Sequence, residues 1–137
     1  MPEPEFQYIR LDTTADYPVV TITQPRLDRE VLARVLQQEL LAVADSVGTS
    51  HWVVDLHEVK LLHTIALQGL LILQRKLATQ SCRIVLCGMA PFVAEVFEIT
   101  GLVASPARES HTLFDVQPDV AAAIAHLNSL PTPLAQE

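Results

Sequence analysis

The hydroxyl of Thr64 is the side chain whose position best suits regulated chemistry, because it stands where an apolar segment ends and a long helix-like segment begins. The surrounding residues 51–69 read HWVVDLHEVKLLHTIALQG. A hydroxyl at the start of a helix can cap it by accepting a backbone hydrogen bond. It can also carry a phosphate, whose charge the positive end of the helix stabilises. The sequence therefore predicts an N-cap, a phosphorylation site, or both at Thr64.

Asp55 and three histidines in the same stretch suggest other chemistry. Asp55 lies near the end of an apolar strand-like segment, where a carboxylate either serves a site or, more commonly, accepts hydrogen bonds from N–H groups of the following loop. His51, His57 and His63 recur every six residues. A strand, a loop and a helix start would point them in different directions, and zinc ligand pairs are spaced more closely. We therefore expect a structural role for Asp55 and no metal site.

An enzyme would need features that this sequence lacks. It has neither a nucleophile elbow nor a glycine-rich phosphate loop, and only four glycines occur in 137 residues. His63 and Thr64 do not read as base and nucleophile, because adjacent residues at a turn need not face each other. Glu95 and Glu98 lie three apart and indicate a solvated helix face or the border of a partner site. We expect a non-catalytic protein without a cofactor.

Composition narrows the class of protein further. A hydrophobic content of 50% in 137 residues fits one globular domain. The net charge of −7, with only nine Lys and Arg, argues against nucleic acid as a partner. No apolar run approaches the ~20 residues that span a bilayer, and the N-terminal MPEPEF lacks the pattern of a signal peptide. We therefore expect a cytoplasmic protein with no membrane partner.

The two cysteines predict buried, reduced thiols. Cys82 and Cys87 are five residues apart. In a strand this odd spacing points their side chains to opposite faces, which argues against a disulfide between them.

The segments that must position Thr64 alternate between strands and helices. Residues 6–11 and 18–23 predict two strands paired as a hairpin. Asp28 predicts the N-cap of a helix that extends to Ala44. The later segments are predicted as a strand at 52–56, a helix at 65–78, a strand at 83–89, a helix opening at Pro91, a short edge strand within 103–109, and a helix opening at Asp115 or Gln117.

Local signals refine these helices. Gly69 inside a helix predicts the close approach of another backbone or of a partner. Gly101 and Leu102 form the pattern that ends a helix. The predicted inward faces comprise Phe92, Val93, Val96, Phe97 and Ile99 in the third helix, and Val120, Ala121, Ile124 and Leu127 in the last.

The expected fold class is α/β in a single domain. We expect a mixed β-sheet of four to five strands with helices packed against it, in the order β-β-α-β-α-β-α-(β)-α. Residues 1–5 and 131–137 are expected to be disordered tails around a domain formed by residues 6–130.

Two segments resemble the STAS domain family (sulfate transporter and anti-sigma factor antagonist). They read VVDLHEVKLLHTIALQGLLIL and RIVLCGMAPFVAEVFEITGL. In the family's anti-sigma antagonists, a hydrophobic strand with an Asp leads to an Asp-Ser-Ser-Gly turn and a helix, and a later helix ends in Gly-Leu. The resemblance extends from Tyr8 to Leu127 and implies a STAS-like fold. The RLD at positions 26–28 falls where family members often carry similar residues.

The turn residues correspond one by one. Asp55 matches the strand Asp, His63 the turn Asp, Thr64 the phosphorylated Ser, Ile65 the second Ser, and Ala66 the Gly. His-Thr-Ile-Ala thus replaces Asp-Ser-Ser-Gly, and only Thr64 keeps the chemistry of its counterpart.

The resemblance implies a regulatory binding protein. In the family, the phosphorylated hydroxyl is modified by a partner that is both an anti-sigma factor and a Ser/Thr kinase, and the unmodified domain binds that partner. The alternatives are a structural subunit of an assembly of STAS proteins, with homo-oligomerisation left open, and a small-ligand or nucleotide-binding domain. The residues implied in partner binding are Arg26, Asp28, His57, His63, Thr64, Ile65, Ala66 and Gln68.

Overall fold

A β-hairpin begins the fold, as the sequence predicts. The computed structural model describes residues 6–14, 16–47, 50–99 and 114–129. Strand β1 (Ile9–Asp12) pairs antiparallel with β2 (Val19–Ile22), so that Ile9 lies opposite Ile22. Every residue of β2 is buried, which suits its run of β-branched side chains.

Parallel strands extend this hairpin into one mixed sheet. Strands β4 (Trp52–Asp55), β6 (Ile84–Cys87) and β7 (Asp115–Gln117) follow β2 in the order β1-β2-β4-β6-β7. The pairs β2–β4, β4–β6 and β6–β7 are all parallel. All residues of β4 and β6 are buried, which suits their sequences, WVVD and IVLC, apolar except for Asp55. The predicted mixed α/β fold is confirmed, with five strands in this sheet.

The two faces of the sheet are packed by different helices. Three helices cover one face: α1 (Glu30–Val47), α2 (Leu67–Ala78) and α3 (Pro91–Ile99). A fourth helix, α4 (Val120–Asn128), packs Ala123 and Leu127 on the other face. Successive strand residues point to opposite faces. In β2, Val20 and Ile22 therefore lie in the core under α1, α2 and α3, and Val19 lies in the core under α4.

Gly69 lies at a close contact between α1 and α2. A Cβ atom at Gly69 would stand 3.2 Å from the Cα and the Cβ of Gln37. The prediction of a close backbone approach at Gly69 is therefore confirmed.

Several predicted elements need correction. Residues 115–117, predicted to open the last helix, form β7, and α4 begins after Asp119, whose carboxylate accepts a hydrogen bond from Ala122 N. The predicted strand within 103–109 and the predicted helix end at Gly101 and Leu102 lie outside the described residues. Two-residue strands that the sequence did not signal, β3 (Arg26–Leu27) and β5 (Leu61–Leu62), pair in parallel.

The predicted inward faces of the last two helices are right in part. Val93 and Phe97 are buried in α3, but Phe92 is 50% exposed and Ile99 is 71% exposed. Of the four residues predicted to face inward in α4, Ala121 is exposed, while Ala123, which was not predicted, is buried. Burial at i and i+4 gives each helix a narrower apolar stripe than the sequence suggests.

Candidate functional site

The small sheet formed by β3 and β5 holds the start of the helix at Thr64. The N–H of His63 donates to the carbonyl of Leu27 at 3.0 Å. A 3₁₀ turn follows at Thr64–Ala66, closed by Ala66 N–H donating to His63 O at 3.0 Å, and α2 continues from Leu67. Two short strands therefore fix the position of Thr64 relative to the start of α1.

Thr64 is the first residue of this turn, and its side chain is exposed. The N-cap of the turn is His63, and the N-cap of α2 is Ala66; neither makes a side-chain capping bond. Within the described residues, the Thr64 hydroxyl makes no hydrogen bond. The predicted capping role of Thr64 is therefore wrong. The chain enters α2 through a 3₁₀ turn that starts at Thr64, one residue before the predicted helix start at Ile65, so His63 takes the N-cap position.

A groove beside Thr64 runs between the 3₁₀ turn and α1. It measures about 310 Å³ and is lined by Ile65 and Gln68 on one side and by residues of α1 on the other, namely Glu30, Ala33, Arg34 and Gln37. Arg34 Nη2 lies 3.2 Å from Glu30 Oε1, and both side chains are well exposed. Ala66 is buried below this surface, so its side chain contributes to packing rather than to the groove.

The α1 residues of this groove were not among the predicted site residues. Glu30, Arg34 and Gln37 recur at the spacing of one helix face, and Gly69 already indicated that something approaches α2 closely. Neither signal alone names the other, and the contact of Gly69 with Gln37 in the structure joins them.

The other predicted partner residues are divided between two places. Arg26 pairs with Asp28 at 3.0 Å, and both line a hollow at the start of α1. His57 instead lines a separate cavity together with Asp55. The structure thus places Ile65 and Gln68 at one groove and does not place His57 there.

Asp55 organises the loop that follows β4. Its Oδ1 accepts the His57 N–H at 3.0 Å, and its Oδ2 lies 2.8 Å from His57 Nδ1. Gly88, at φ +71°, passes so near that an added Cβ would stand 2.8 Å from Asp55 Oδ1. The prediction that Asp55 accepts hydrogen bonds from loop N–H groups is confirmed.

The three histidines occupy different environments. His51 is buried, and its Nδ1 accepts the N–H of Arg83 at 2.9 Å. His57 pairs with Asp55, and His63 is exposed at the 3₁₀ turn. Among the residues that the structure describes, no group of three or more His, Cys, Asp or Glu side chains could hold a metal ion.

Both thiols are free and buried, and they lie on opposite faces of the sheet, as predicted. Burial, together with a smaller effect of the carboxylates of Asp55 and Asp119, raises the pKa of the Cys87 thiol to about 12. Burial also raises the pKa of Cys82. Thiolate chemistry at neutral pH is therefore disfavoured at both positions.

Comparison with known families identifies the class of this domain. The family model described as "Mlab, STAS domain" matches residues 9–104. The chain therefore belongs to the STAS domain family, and the resemblance in the sequence is confirmed. The comparison with curated proteins gives no match. In the ranges that the structure describes, none of the helices has both the length and the apolar character that a membrane crossing requires.

Solved structures share the fold at low sequence identity. An anti-sigma-factor antagonist (STAS) domain protein from Planctomyces limnophilus gives a TM-score of 0.70 at 17% identity over 87% of this chain and 96% of that chain. RsbS from Moorella thermoacetica, with a serine-to-glutamate substitution, gives a TM-score of 0.67 at 17% identity over 89% of this chain and 96% of that chain.

The anti-sigma factor antagonist SpoIIAA is a third similar structure. Its unphosphorylated form gives a TM-score of 0.61 at 14% identity over 89% of this chain and 99% of that chain. A phosphorylated form of SpoIIAA, from Bacillus, gives a TM-score of 0.59 at 15% identity over 86% of this chain and 97% of that chain. Because all these identities are low, the likeness shows the fold alone.

Proposed function

We propose that this protein is a non-catalytic regulator that binds a protein partner through the surface around Thr64, and that phosphorylation of Thr64 controls this binding. The observation that carries the proposal is the exposed Thr64 hydroxyl, which makes no hydrogen bond within the described residues. None of the described residues bonds to that hydroxyl, so their packing does not depend on it. The core strand β4 and the β3–β5 pair nevertheless hold it in a fixed place.

The surface around Thr64 suits a partner that distinguishes the unmodified threonine from the phosphorylated one. His63 and Gln68 are exposed and Ile65 is half-buried, so polar contacts border an apolar one. The groove between Ile65 and α1 offers a concave surface beside the hydroxyl. A partner that packs on this surface would cover Thr64 only while it is unmodified.

A phosphate at Thr64 would act on the interface more than on the fold. It adds about −1.5 to −2 charges. The first N–H groups of the turn have no partner within it and stabilise such a charge. A partner packed against the bare threonine would meet a bulky dianion. We therefore propose, as the class of partner, an anti-sigma factor with Ser/Thr kinase activity, which would recognise the unmodified surface.

The test uses purified protein and a lysate of the organism from which the chain comes, with labelled ATP. We expect label on Thr64 by mass spectrometry, no label in Thr64→Val, and full label in the matched control Thr79→Val, whose hydroxyl donates to Lys76 O instead. The kinase that the unmodified protein captures from this lysate should bind more weakly once Thr64 is phosphorylated. Label that persists in Thr64→Val, or binding that ignores the phosphate, would contradict the proposal.

A further inference from the structure

Helix α3 carries an apolar surface on the side that faces away from the sheet. Phe92 is 50% exposed and Ile99 is 71% exposed. The two residues are seven positions apart, close to two helical turns, so their side chains lie on the same side of α3, about 10 Å apart along its axis. Val96, which is half-buried, lies between them. Phe92, Val96 and Ile99 thus form one apolar stripe, which we call the outer stripe.

The outer stripe is additional to the side of α3 that packs on the core. That side is formed by Val93 and Phe97, which are fully buried. In the part of the chain that the structure describes, the other large exposed apolar side chains lie singly on separate elements, namely Val31 on α1, Ile72 on α2 and Val116 on β7. Single apolar side chains are ordinary on a protein surface, whereas adjacent ones bordered by polar residues are typical of an interaction site.

Two acids border the outer stripe on one side. Glu95 comes three residues after Phe92 and four before Ile99, so it lies beside both on the helix surface. Glu98 follows Glu95 by three residues, and both acids are exposed. Within the described residues, neither of them makes an ion pair. A partner that covers this surface therefore needs an apolar side for the stripe and cations for the acids.

Charge decides between the possible occupants of this surface. Pairing α3 with α3 of a second copy would bring the same acids together, and each chain already has a net charge of −7, so repulsion opposes that contact. An anionic lipid surface would be repelled in the same way. A basic amphipathic helix meets both needs, because its apolar residues recur at the spacing of the outer stripe and its Lys or Arg side chains attract Glu95 and Glu98.

We propose that the outer stripe of α3 is a docking surface for a basic amphipathic helix of a partner protein. The apolar side of that helix covers Phe92, Val96 and Ile99, and its cationic side chains face the two neighbouring glutamates. None of these α3 residues lines the groove beside Thr64. The surface is therefore separate from the proposed switch, and its binding does not depend on phosphorylation of Thr64.

Fluorescence anisotropy of labelled peptides with the full chain tests this surface. The first peptide has leucines on one side of a helix and lysines on the other. The second has glutamates in place of the lysines, and the third has alanines in place of the leucines. We expect the first peptide to bind at least about tenfold more tightly than either of the others, because only it offers both apolar contact and cations. Equal binding of either control peptide, no binding of the first, or co-sedimentation of the chain with phosphatidylglycerol vesicles would each overturn the proposal.

Variants locate the leucine–lysine peptide on α3. Phe92→Gln should weaken its binding about tenfold through loss of apolar contact, and Glu95→Gln about two- to fivefold through loss of one exposed ion pair. The matched controls are Val31→Gln, an apolar residue of α1 that is 67% exposed, and Asp45→Asn, an exposed acid of α1; both should keep the affinity. If Phe92→Gln does not fold, Ile99→Gln at the more exposed position decides. An unchanged affinity in the α3 variants, or an equal loss in the controls, would refute the site.

Discussion

Replacing Gly88 with alanine should destabilise the fold through two separable effects. Gly88 has φ +71°, in the left-handed region, which costs an L residue about 1–2 kcal/mol. The new Cβ would also stand 2.8 Å from Asp55 Oδ1 and 3.1 Å from His57 Cβ. If the carboxylate moves away, the partly buried hydrogen bond from His57 N–H to Asp55 weakens, at about 1–3 kcal/mol. The free energy of unfolding should therefore fall by about 2–5 kcal/mol, a large part of the stability of an ordinary domain.

Urea denaturation followed by circular dichroism measures this loss, and a double-mutant cycle separates its causes. In an Asp55→Ala background the carboxylate is gone, while the approach to His57 Cβ at 3.1 Å remains. Gly88→Ala should therefore cost less there, by about 1–3 kcal/mol, the contribution of the weakened hydrogen bond. An equal cost in both backgrounds would show that Asp55 does not constrain Gly88. A total loss below about 1 kcal/mol would refute the left-handed strain as well.

Three further predictions concern other parts of the molecule. Thr64→Glu should change the free energy of unfolding by less than about 0.5 kcal/mol, since Thr64 is exposed. It should weaken binding of the kinase partner in a pull-down. Loss of the folded state in Thr64→Glu would contradict the argument that the 3₁₀ turn tolerates a negative charge. Phe97→Ala should cost about 3–5 kcal/mol in the same urea assay, because Phe97 is fully buried. Cys87 ionises near 9.0 when unfolded and at about 12 when folded, so stability should fall as pH rises through that window. Cys87→Ala should show a smaller fall.

The sequence predicted the main elements because their signals are local. The β-branched run at 18–23, the proline at the start of α3 and the apolar spacing of α1 each favour one conformation over several residues. The two-residue strands β3 and β5 exist because residues far apart in sequence pair with each other. Two residues carry no readable periodicity, so these strands could not be predicted.

The strand β7 was missed for a different reason. Asp115 and Gln117 precede Pro118, and an acid or amide before proline is a typical helix start. The structure instead pairs Val116 with Leu86 of β6 and places the helix start at Asp119. Pairing with an existing strand outweighed the local signal, as tertiary contacts commonly do.

The candidate site was predicted in location more than in detail. Thr64 was placed correctly at the start of a helix, but a 3₁₀ turn made His63 its N-cap.

Stability does not explain a threonine at position 64. A residue that is exposed, caps no helix and forms no hydrogen bond within the described residues contributes little to folding. A valine or serine there should fold equally well, and only the hydroxyl-bearing residues accept a phosphate. If Thr64→Ser keeps partner regulation and Thr64→Val loses it at equal thermal stability, the hydroxyl itself is what the position supplies. Equal regulation in both variants would instead mean that the partner recognises only the shape of the groove.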